Sequence, residues 1–123
     1  MKFLCLCHYD LDGFAGFGPS DFQEMGRICA PHDAALKASG KVSLIGSLGT
    51  PDQFRTLRAD KDGVSVSGGP YAEMAEPSGA FFIVEADTIE EATEIARLHP
   101  GTHLGHMLRG GIEIRPIEHL EKL

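Results

Sequence analysis

The sequence predicts an α+β fold in which a mainly antiparallel sheet carries two helices on one face. The predicted elements follow one another as strand, helix, strand, hairpin, strand, helix and strand. Two helices are too few to interleave every strand, so both are expected to pack on the same side of the sheet. The first and fifth strands are apolar on both of their faces, which means that a second layer must cover the far side.

Six strands are predicted from short apolar or alternating runs bounded by turn residues. The strongest prediction is the uninterrupted apolar run from Ala80 to Val84. The tight-turn sequence Asp60-Lys61-Asp62-Gly63 makes a hairpin of the strands on either side of it. The predicted strands cover Phe3 to Cys7, Val42 to Leu48, Phe54 to Ala59, Val64 to Ser67, Ala80 to Val84 and Ile112 to Ile117.

The first helix follows a glycine-rich loop, Asp10 to Pro19. Ser20 and Gln23 form a capping-box pair, and the helix is expected to end at Gly40. Pro31 lies near the back of the apolar face and is expected to kink or divide the helix. Spaced at about 100° per residue, the residues of that face are Phe22, Met25, Ile28, Cys29, His32 and Leu36.

The second helix is predicted to begin at a capping box formed by Thr88 with Glu91, or by Asp87 with Glu90. Pro100 stops it, because the residue before a proline disfavours helical geometry. A short helical turn is expected between Gly101 and Arg109. The apolar positions of the helix are Ile89, Ala92, Ile95, Ala96 and Leu98.

Composition limits the classes of protein to which the chain can belong. Its 123 residues fit one domain, predicted over 1–118 with a polar tail at 119–123. A net charge of −7 and the lack of a basic stripe argue against nucleic acid as a partner. No apolar run approaches the roughly 18 residues needed to cross a bilayer, so no membrane partner is expected. Three cysteines are an odd count for a disulfide framework, which favours a reducing cytoplasm.

The two-sided apolar strands predict a homodimer. A sheet with one wet face should alternate apolar and polar residues, and these strands do not. The chain has no further helix with which to cover the second face. Two sheets packed face to face about a two-fold axis would cover it.

One segment carries a family resemblance. Gly68-Gly69-Pro70-Tyr71-Ala72-Glu73 leads to Glu76, and the strand Gly79-Ala80-Phe81-Phe82-Ile83-Val84-Glu85 follows. This pattern resembles the signature of the YCII-related proteins, in the branch named for an Asp-Gly-Pro-Phe motif. The resemblance extends over most of the chain, through His32, His99-Pro100 and the closing run from Gly111 to Ile117.

The resemblance implies a ferredoxin-like domain that pairs into a dimeric α/β barrel. That superfamily contains small isomerases and oxygenases, whereas most YCII-related proteins have no established reaction. Some relatives lie beside extracytoplasmic sigma factors, which implies a regulatory setting as the alternative to an enzyme. The chain departs from the motif at Gly68, Tyr71 and Ala75, where relatives carry Asp, Phe and Lys.

His32 is the candidate catalytic residue. It lies within the apolar face of the first helix, where burial beside a carboxylate can tune an imidazole for proton transfer. The alternative is a core histidine satisfied by one backbone carbonyl. Asp33, Asp52 and Glu76 are the carboxylates considered as partners of His32.

The loop after the hairpin supplies the candidate ligand-binding residues. Pro70 fixes its own φ and restricts Gly69, so that the loop can hold Tyr71 rigidly against a small ligand. The alternative is a turn that packs Tyr71 into a dimer contact. An ion pair between Glu76 and Arg115 is also considered. The candidate set is Gly69, Pro70, Tyr71, Glu73, Glu76 and Arg115.

No metal site and no cofactor are predicted. His99, His103 and His106 have helical spacing, but Pro100 and Gly101 interrupt it, and exposed loop histidines are the better interpretation. Cys5 and Cys7 share a strand face and are expected to be free core thiols. The sequence therefore predicts a protein that binds a small organic molecule, with isomerase-like acid–base activity in a pocket of His32, Tyr71 and strand-one residues. The alternative is a homodimeric interaction or regulatory protein.

Overall fold

The computed structural model describes residues 1–123 and contains a four-stranded antiparallel sheet. Its strands lie in the order β2-β5-β1-β6 and all neighbours are antiparallel. They are β1 (Lys2–Tyr9), β2 (Val42–Ser47), β5 (Ser78–Glu85) and β6 (Gly110–Pro116). All four were predicted: the runs Phe3 to Cys7 and Ala80 to Val84 lie within longer strands, whereas β2 ends one residue before its predicted end and β6 is displaced by one to two residues towards the N-terminus.

Two helices, α1 (Pro19–Ala38) and α2 (Ile89–Ala96), complete the fold. Both contribute to one core against the same sheet face, which confirms the predicted layering. From α1 the core takes Leu36, and from α2 it takes Ala92, Ile95 and Ala96. The sheet supplies fully buried side chains at Phe3, Cys5, Cys7, Phe82 and Val84.

The connection of these elements is that of a ferredoxin-like domain. Setting the central hairpin aside, the chain runs strand, helix, strand, strand, helix, strand, with the first strand between the third and the fourth. The predicted α+β class and the ferredoxin-like sheet are therefore both present. No helix of the structure has the length and apolar character needed to cross a membrane.

The start of α1 differs from the prediction. Gly18 rather than Ser20 occupies the N-cap, and Pro19 takes the first helical turn, where its missing N–H is not needed. The Asp21 carboxylate accepts a hydrogen bond of 2.9 Å from the Gly18 backbone N–H. The helix is also not divided at Pro31, which is exposed, so that solvent can reach the backbone carbonyl that this proline leaves free.

The caps of α2 agree with the first predicted alternative. The Thr88 hydroxyl accepts a 3.1 Å hydrogen bond from the Glu91 backbone N–H, while a Glu91 carboxylate oxygen accepts one of 3.2 Å from the Asp87 N–H. After the helix, a short 3-10 turn at Pro100–Thr102 provides the expected helical turn.

The predicted hairpin forms, but it is separate from the main sheet. Strands β3 (Arg55–Asp60) and β4 (Gly63–Gly68) pair only with each other. Their turn uses Gly63 with a φ of 125°, a conformation that favours glycine. The sequence specified the turn and the pairing, and it carried no information on whether the hairpin joins the sheet.

The sheet face opposite the helices carries apolar side chains, as the two-sided strands predicted. Leu4 is paired with Ile83 and Leu6 with Phe81 across β1 and β5. Leu44, on β2, extends the same face and is 58% exposed. These five residues are called the open face below.

Candidate functional site

An apolar cavity of about 190 Å³ lies among α1, the end of β1 and the segment that follows α2. The segment after α2 packs against α1, because the 3-10 turn at Pro100–Thr102 brings the chain back towards that helix. The cavity is lined by Tyr9, Phe14, Met25, Cys29, His99, Pro100, Gly101, Leu104 and Leu108.

His99 is the buried titratable group of this cavity. Its ring is 9% exposed and stacks in parallel on Phe82, with 4.8 Å between the ring centroids. The Nδ1 atom accepts a 2.9 Å hydrogen bond from the Gly101 N–H, so in the neutral ring the proton lies on Nε2. Burial lowers the pKa of His99, and nearby His103 also lowers it, whereas Asp33 acts in the opposite direction.

The other polar groups around the cavity are a phenol and two thiols. His99 Nε2 lies 3.7 Å from the Cys7 sulfur, and the Tyr9 hydroxyl neighbours the same thiol. Burial raises the pKa of Cys7 to about 11 and also raises the pKa of Tyr9 and of Cys29. At neutral pH the cavity therefore presents neutral hydrogen-bonding groups and no thiolate nucleophile.

The buried cysteines of β1 are structural. Cys5 and Cys7 point to the same face and are fully buried, as the sequence predicted, and all three cysteines of the chain are free thiols. Burial raises the pKa of Cys5 to about 12, and the neighbouring Cys7 adds to the shift. Both side chains therefore act as small apolar core residues.

His32 lies beside the cavity rather than in its wall. Its imidazole stacks in parallel on that of His103, with 3.6 Å between the centroids. One turn earlier on α1, Cys29 lines the cavity, and Leu104 lines it directly after His103. No carboxylate forms an ion pair with His32: Asp33 pairs with Lys37 at 2.8 Å.

The loop residues predicted to bind ligand lie elsewhere on the chain. Gly69 adopts a φ of 97°, and the Tyr71 ring, 68% exposed, lies beneath the Arg58 guanidinium at 4.1 Å. Arg58 also donates a 2.6 Å hydrogen bond to the Tyr71 carbonyl. Tyr71 and His32 do not share a cavity within one chain.

The charged candidates are dispersed. Glu76 lies 4.0 Å from Arg109, and its carbonyl contacts His8 Nδ1 at 2.8 Å. Arg115 pairs with Glu113 at 2.6 Å, so the pair considered between Glu76 and Arg115 does not form.

A second depression lies at the end of the sheet beyond the hairpin loop, and Glu73 lines it. This depression is lined by Leu11, Asp12, Thr50, Pro51, Asp52, Glu73, Met74, Ala75 and Pro77. The Asp52 carboxylate accepts a hydrogen bond from the Thr50 hydroxyl within it.

The three histidines considered for a metal do not converge. His99 is buried, which corrects the interpretation of all three as exposed loop residues, whereas His103 and His106 are exposed. His103 Nε2 contacts the Arg97 carbonyl at 2.8 Å. No group of three or more metal-ligating side chains is present in the structure.

Sequence reasoning missed Tyr9 as a site residue. The alternation Phe3, Cys5, Cys7 continues to Tyr9, which places its ring on the helix side of the sheet. That pattern was a usable signal for a phenol near the core. Its meeting with His99, 90 residues further along, depends on tertiary structure.

The fold and the cavity define a class of small α+β domains with an apolar site between helix and sheet. A family model of the YCII-related domain matches residues 1–120, and the chain belongs to this family. The predicted resemblance is confirmed. The comparison with curated proteins gives no match.

One solved structure is similar over nearly the whole chain. It is the 5-chloro-2-hydroxyhydroquinone dehydrochlorinase of Burkholderia phenoliruptrix AC1100, in complex with 2,5-dihydroxybenzoquinone. The two chains are 22% identical, the match covers 97% of this chain and 95% of the other, and the TM-score is 0.49.

Proposed function

We propose that this protein binds a small organic molecule in the cavity between α1 and the sheet. The observation that carries the proposal is an apolar space in which two neutral polar groups, the Tyr9 hydroxyl and the His99 imidazole, occur together. Binding sites of this kind combine apolar walls with a few placed polar groups. The ligand is held by burial of its apolar surface and oriented by those groups.

The volume sets the size of the ligand. An apolar cavity of about 150 Å³ holds benzene, so a cavity of about 190 Å³ has room for one ring with a small substituent. The walls carry no cation or carboxylate, which favours a neutral molecule over an ion. Phenol matches both requirements and serves as a probe.

Cys29 provides a direct assay of occupancy. It lines the cavity and is only half-buried, so a thiol reagent can reach it more readily than Cys5 or Cys7. Phenol is expected to slow the modification of Cys29 in a saturable manner.

Gly101 offers the blocking variant for the same assay. A methyl group at Gly101 would lie 3.1 Å from His99 Nδ1 and 3.5 Å from the Tyr9 hydroxyl, within the cavity. Gly101→Ala should weaken protection by phenol, because its methyl group crowds the polar end of the cavity, while Gly105→Ala, where the added methyl meets nothing, should retain full protection. Equal protection in both variants, or none in the wild type, would overturn the proposal.

His32 is proposed as the acid–base group of this site. An imidazole can accept and return a proton, as an isomerisation requires. Its support is the stacking on His103, which joins it to the segment that lines the cavity. Saturating phenol should shift the NMR resonances of the His32 ring. Unchanged resonances would remove His32 from the site.

A homodimer is proposed on the open face. Leu4, Leu6, Phe81 and Ile83 form an apolar strip on which no helix of the chain packs; Ile83 is buried, and the other three stay partly exposed. The free state of the three thiols fits the cytoplasm as the setting of this assembly. Sedimentation velocity should give a dimer for the wild type and a monomer for Leu6→Lys. A monomeric wild type would contradict this proposal without affecting the cavity.

A further inference from the structure

We infer that the β3–β4 hairpin is a dimerisation arm whose apolar face docks on a second copy of this chain. The register pairs Leu57 with Val66 and Ala59 with Val64. Residues directly opposite in an antiparallel pair share a face, so these four side chains form one apolar surface, called the arm face below. Leu57, Val64 and Val66 are each 65% exposed.

The other face of the hairpin is polar. Thr56 is paired with Ser67 and Arg58 with Ser65. Thr56 donates a 2.8 Å hydrogen bond to the Gly69 carbonyl, which fixes the base of the hairpin. The hairpin therefore has the two-sided pattern of a strand pair with one buried face, although nothing in its own chain buries that face.

The hairpin is anchored only near its base. Its hydrogen bonds beyond its own two strands go to the flanking residues Phe54, Gly69 and Tyr71. Neither strand packs extensively on the four-stranded sheet or on the helices. A two-stranded hairpin is marginally stable in water, and it gains stability by packing on further structure. The arm face is where that packing is missing.

The area that a stable dimer needs favours a second copy as the occupant. Four strands about 4.8 Å apart and about 24 Å long give the whole sheet face opposite the helices an area of roughly 450 Å², or about 900 Å² for two protomers. This is below the roughly 1,200–2,000 Å² of a standard interface. Two arms, each about 10 by 20 Å and each covering an equal area of the other protomer, add about 800 Å² and bring the total into that range.

Charge and symmetry support the same occupant. The hairpin carries the cations Arg55, Arg58 and Lys61 against the carboxylates Asp60 and Asp62, within a chain of net charge −7. The arm is therefore weakly positive, and it is a part of the chain at which a second acidic protomer meets little electrostatic repulsion. In a two-fold dimer each protomer gives one arm and receives one, so the contact is made twice.

The test compares two adjacent positions on opposite faces of β4. This inference rests on the proposed open-face dimer. Val66→Glu places a charge on the arm face. Ser65→Glu places the same charge beside Arg58 on the polar face. Sedimentation equilibrium measures the dimer dissociation constant of each. Loss of one buried valine at each of two sites predicts an increase of about a hundredfold for Val66→Glu. Ser65→Glu should dissociate as the wild type does.

Val66→Thr guards against unfolding of the hairpin. Threonine keeps the shape and the strand preference of valine but replaces a methyl group with a hydroxyl. Val66→Thr should raise the dissociation constant of the dimer by about tenfold. In a separate experiment on the wild type, the backbone amides of the hairpin should exchange hydrogen faster once the protein is diluted below that dissociation constant.

Each contrary result has a distinct meaning. Equal dissociation constants for Val66→Glu and Ser65→Glu, together with a monomeric Leu6→Lys, would overturn the arm and leave the open-face dimer standing. Arm amides that exchange at the same rate in dilute and concentrated protein would exclude a second copy as the occupant. A wild type that is monomeric at every concentration would overturn both.

Discussion

Replacing His99 by Asn should change how stability depends on pH. The buried ring of His99 is neutral in the folded state because burial disfavours its charged form and lowers its pKa. Protonation at Nδ1 would also place two donors against each other, since that atom accepts the Gly101 N–H. Asn retains an acceptor oxygen at a similar position and does not titrate. The variant therefore removes the proton equilibrium while keeping the hydrogen bond.

The sign and size of the effect follow from proton linkage. The unfolded histidine titrates near 6.5 and the folded one lower, so below pH 6.5 the unfolded state binds the extra proton. The stabilisation from His99 is complete above that value and is lost as the pH falls through the folded pKa. As the pH falls from 6.5 to the folded pKa of His99, the free energy of unfolding should fall by up to about 1.4 kcal/mol per pH unit.

Urea denaturation at several pH values between 5 and 8 measures the difference. His99→Asn should be less stable than the wild type at pH 7.5, because it loses a stacked ring pair worth about 0.5–1.5 kcal/mol. The difference in the free energy of unfolding between the wild type and His99→Asn should then decrease as the pH falls. Parallel curves over the whole range would refute the description of His99 as a buried neutral imidazole.

Three further predictions concern the fold around the site. Gly46→Ala should lower the free energy of unfolding by about 1–3 kcal/mol, because its methyl group would overlap the Phe81 ring. Gly26→Ala, on the exposed side of α1, should raise the free energy of unfolding by about 1 kcal/mol. Urea titration of the two variants measures both changes. Thr88→Ala should cost about 1 kcal/mol through loss of the α2 cap, and an unchanged thermal midpoint would contradict that role. A thiol reagent should modify only Cys29 in the native chain at neutral pH and all three cysteines in urea, as mass spectrometry would record; rapid native modification of more than one would contradict the burial of β1.

The strands and the layering could be predicted because they depend on local signals. Alternating residues, apolar runs and the turn at Gly63 predicted the six strands. The small number of helices predicted that both pack on the same face of the sheet. The predicted start of α1 was wrong because Ser20 with Gln23 matches a capping-box pattern. The helix begins earlier because Pro19 is suited to the first turn and the Asp21 carboxylate accepts a hydrogen bond from the Gly18 N–H.

The site was less predictable because it depends on tertiary contacts. His32 was recognisable on an apolar helix face, yet its neighbour in the structure is the ring of His103 and not a carboxylate. His99 was considered as one of three histidines at helical spacing and as part of the family resemblance, whereas its partners in the structure are Phe82 and Gly101. No local pattern reports that the end of α2 returns to the end of β1.

Binding of phenol to the cavity can be observed directly by NMR of the ¹⁵N-labelled protein. The backbone amides of Tyr9, Cys29, Gly101 and Leu104 should shift together and saturate with one dissociation constant in the wild type and in Gly105→Ala. In Gly101→Ala they should saturate only at higher phenol concentrations, because the added methyl group narrows the space beside His99 and the Tyr9 hydroxyl. Shifts confined to the open face, or an identical response in both variants, would contradict a binding site between α1 and the sheet.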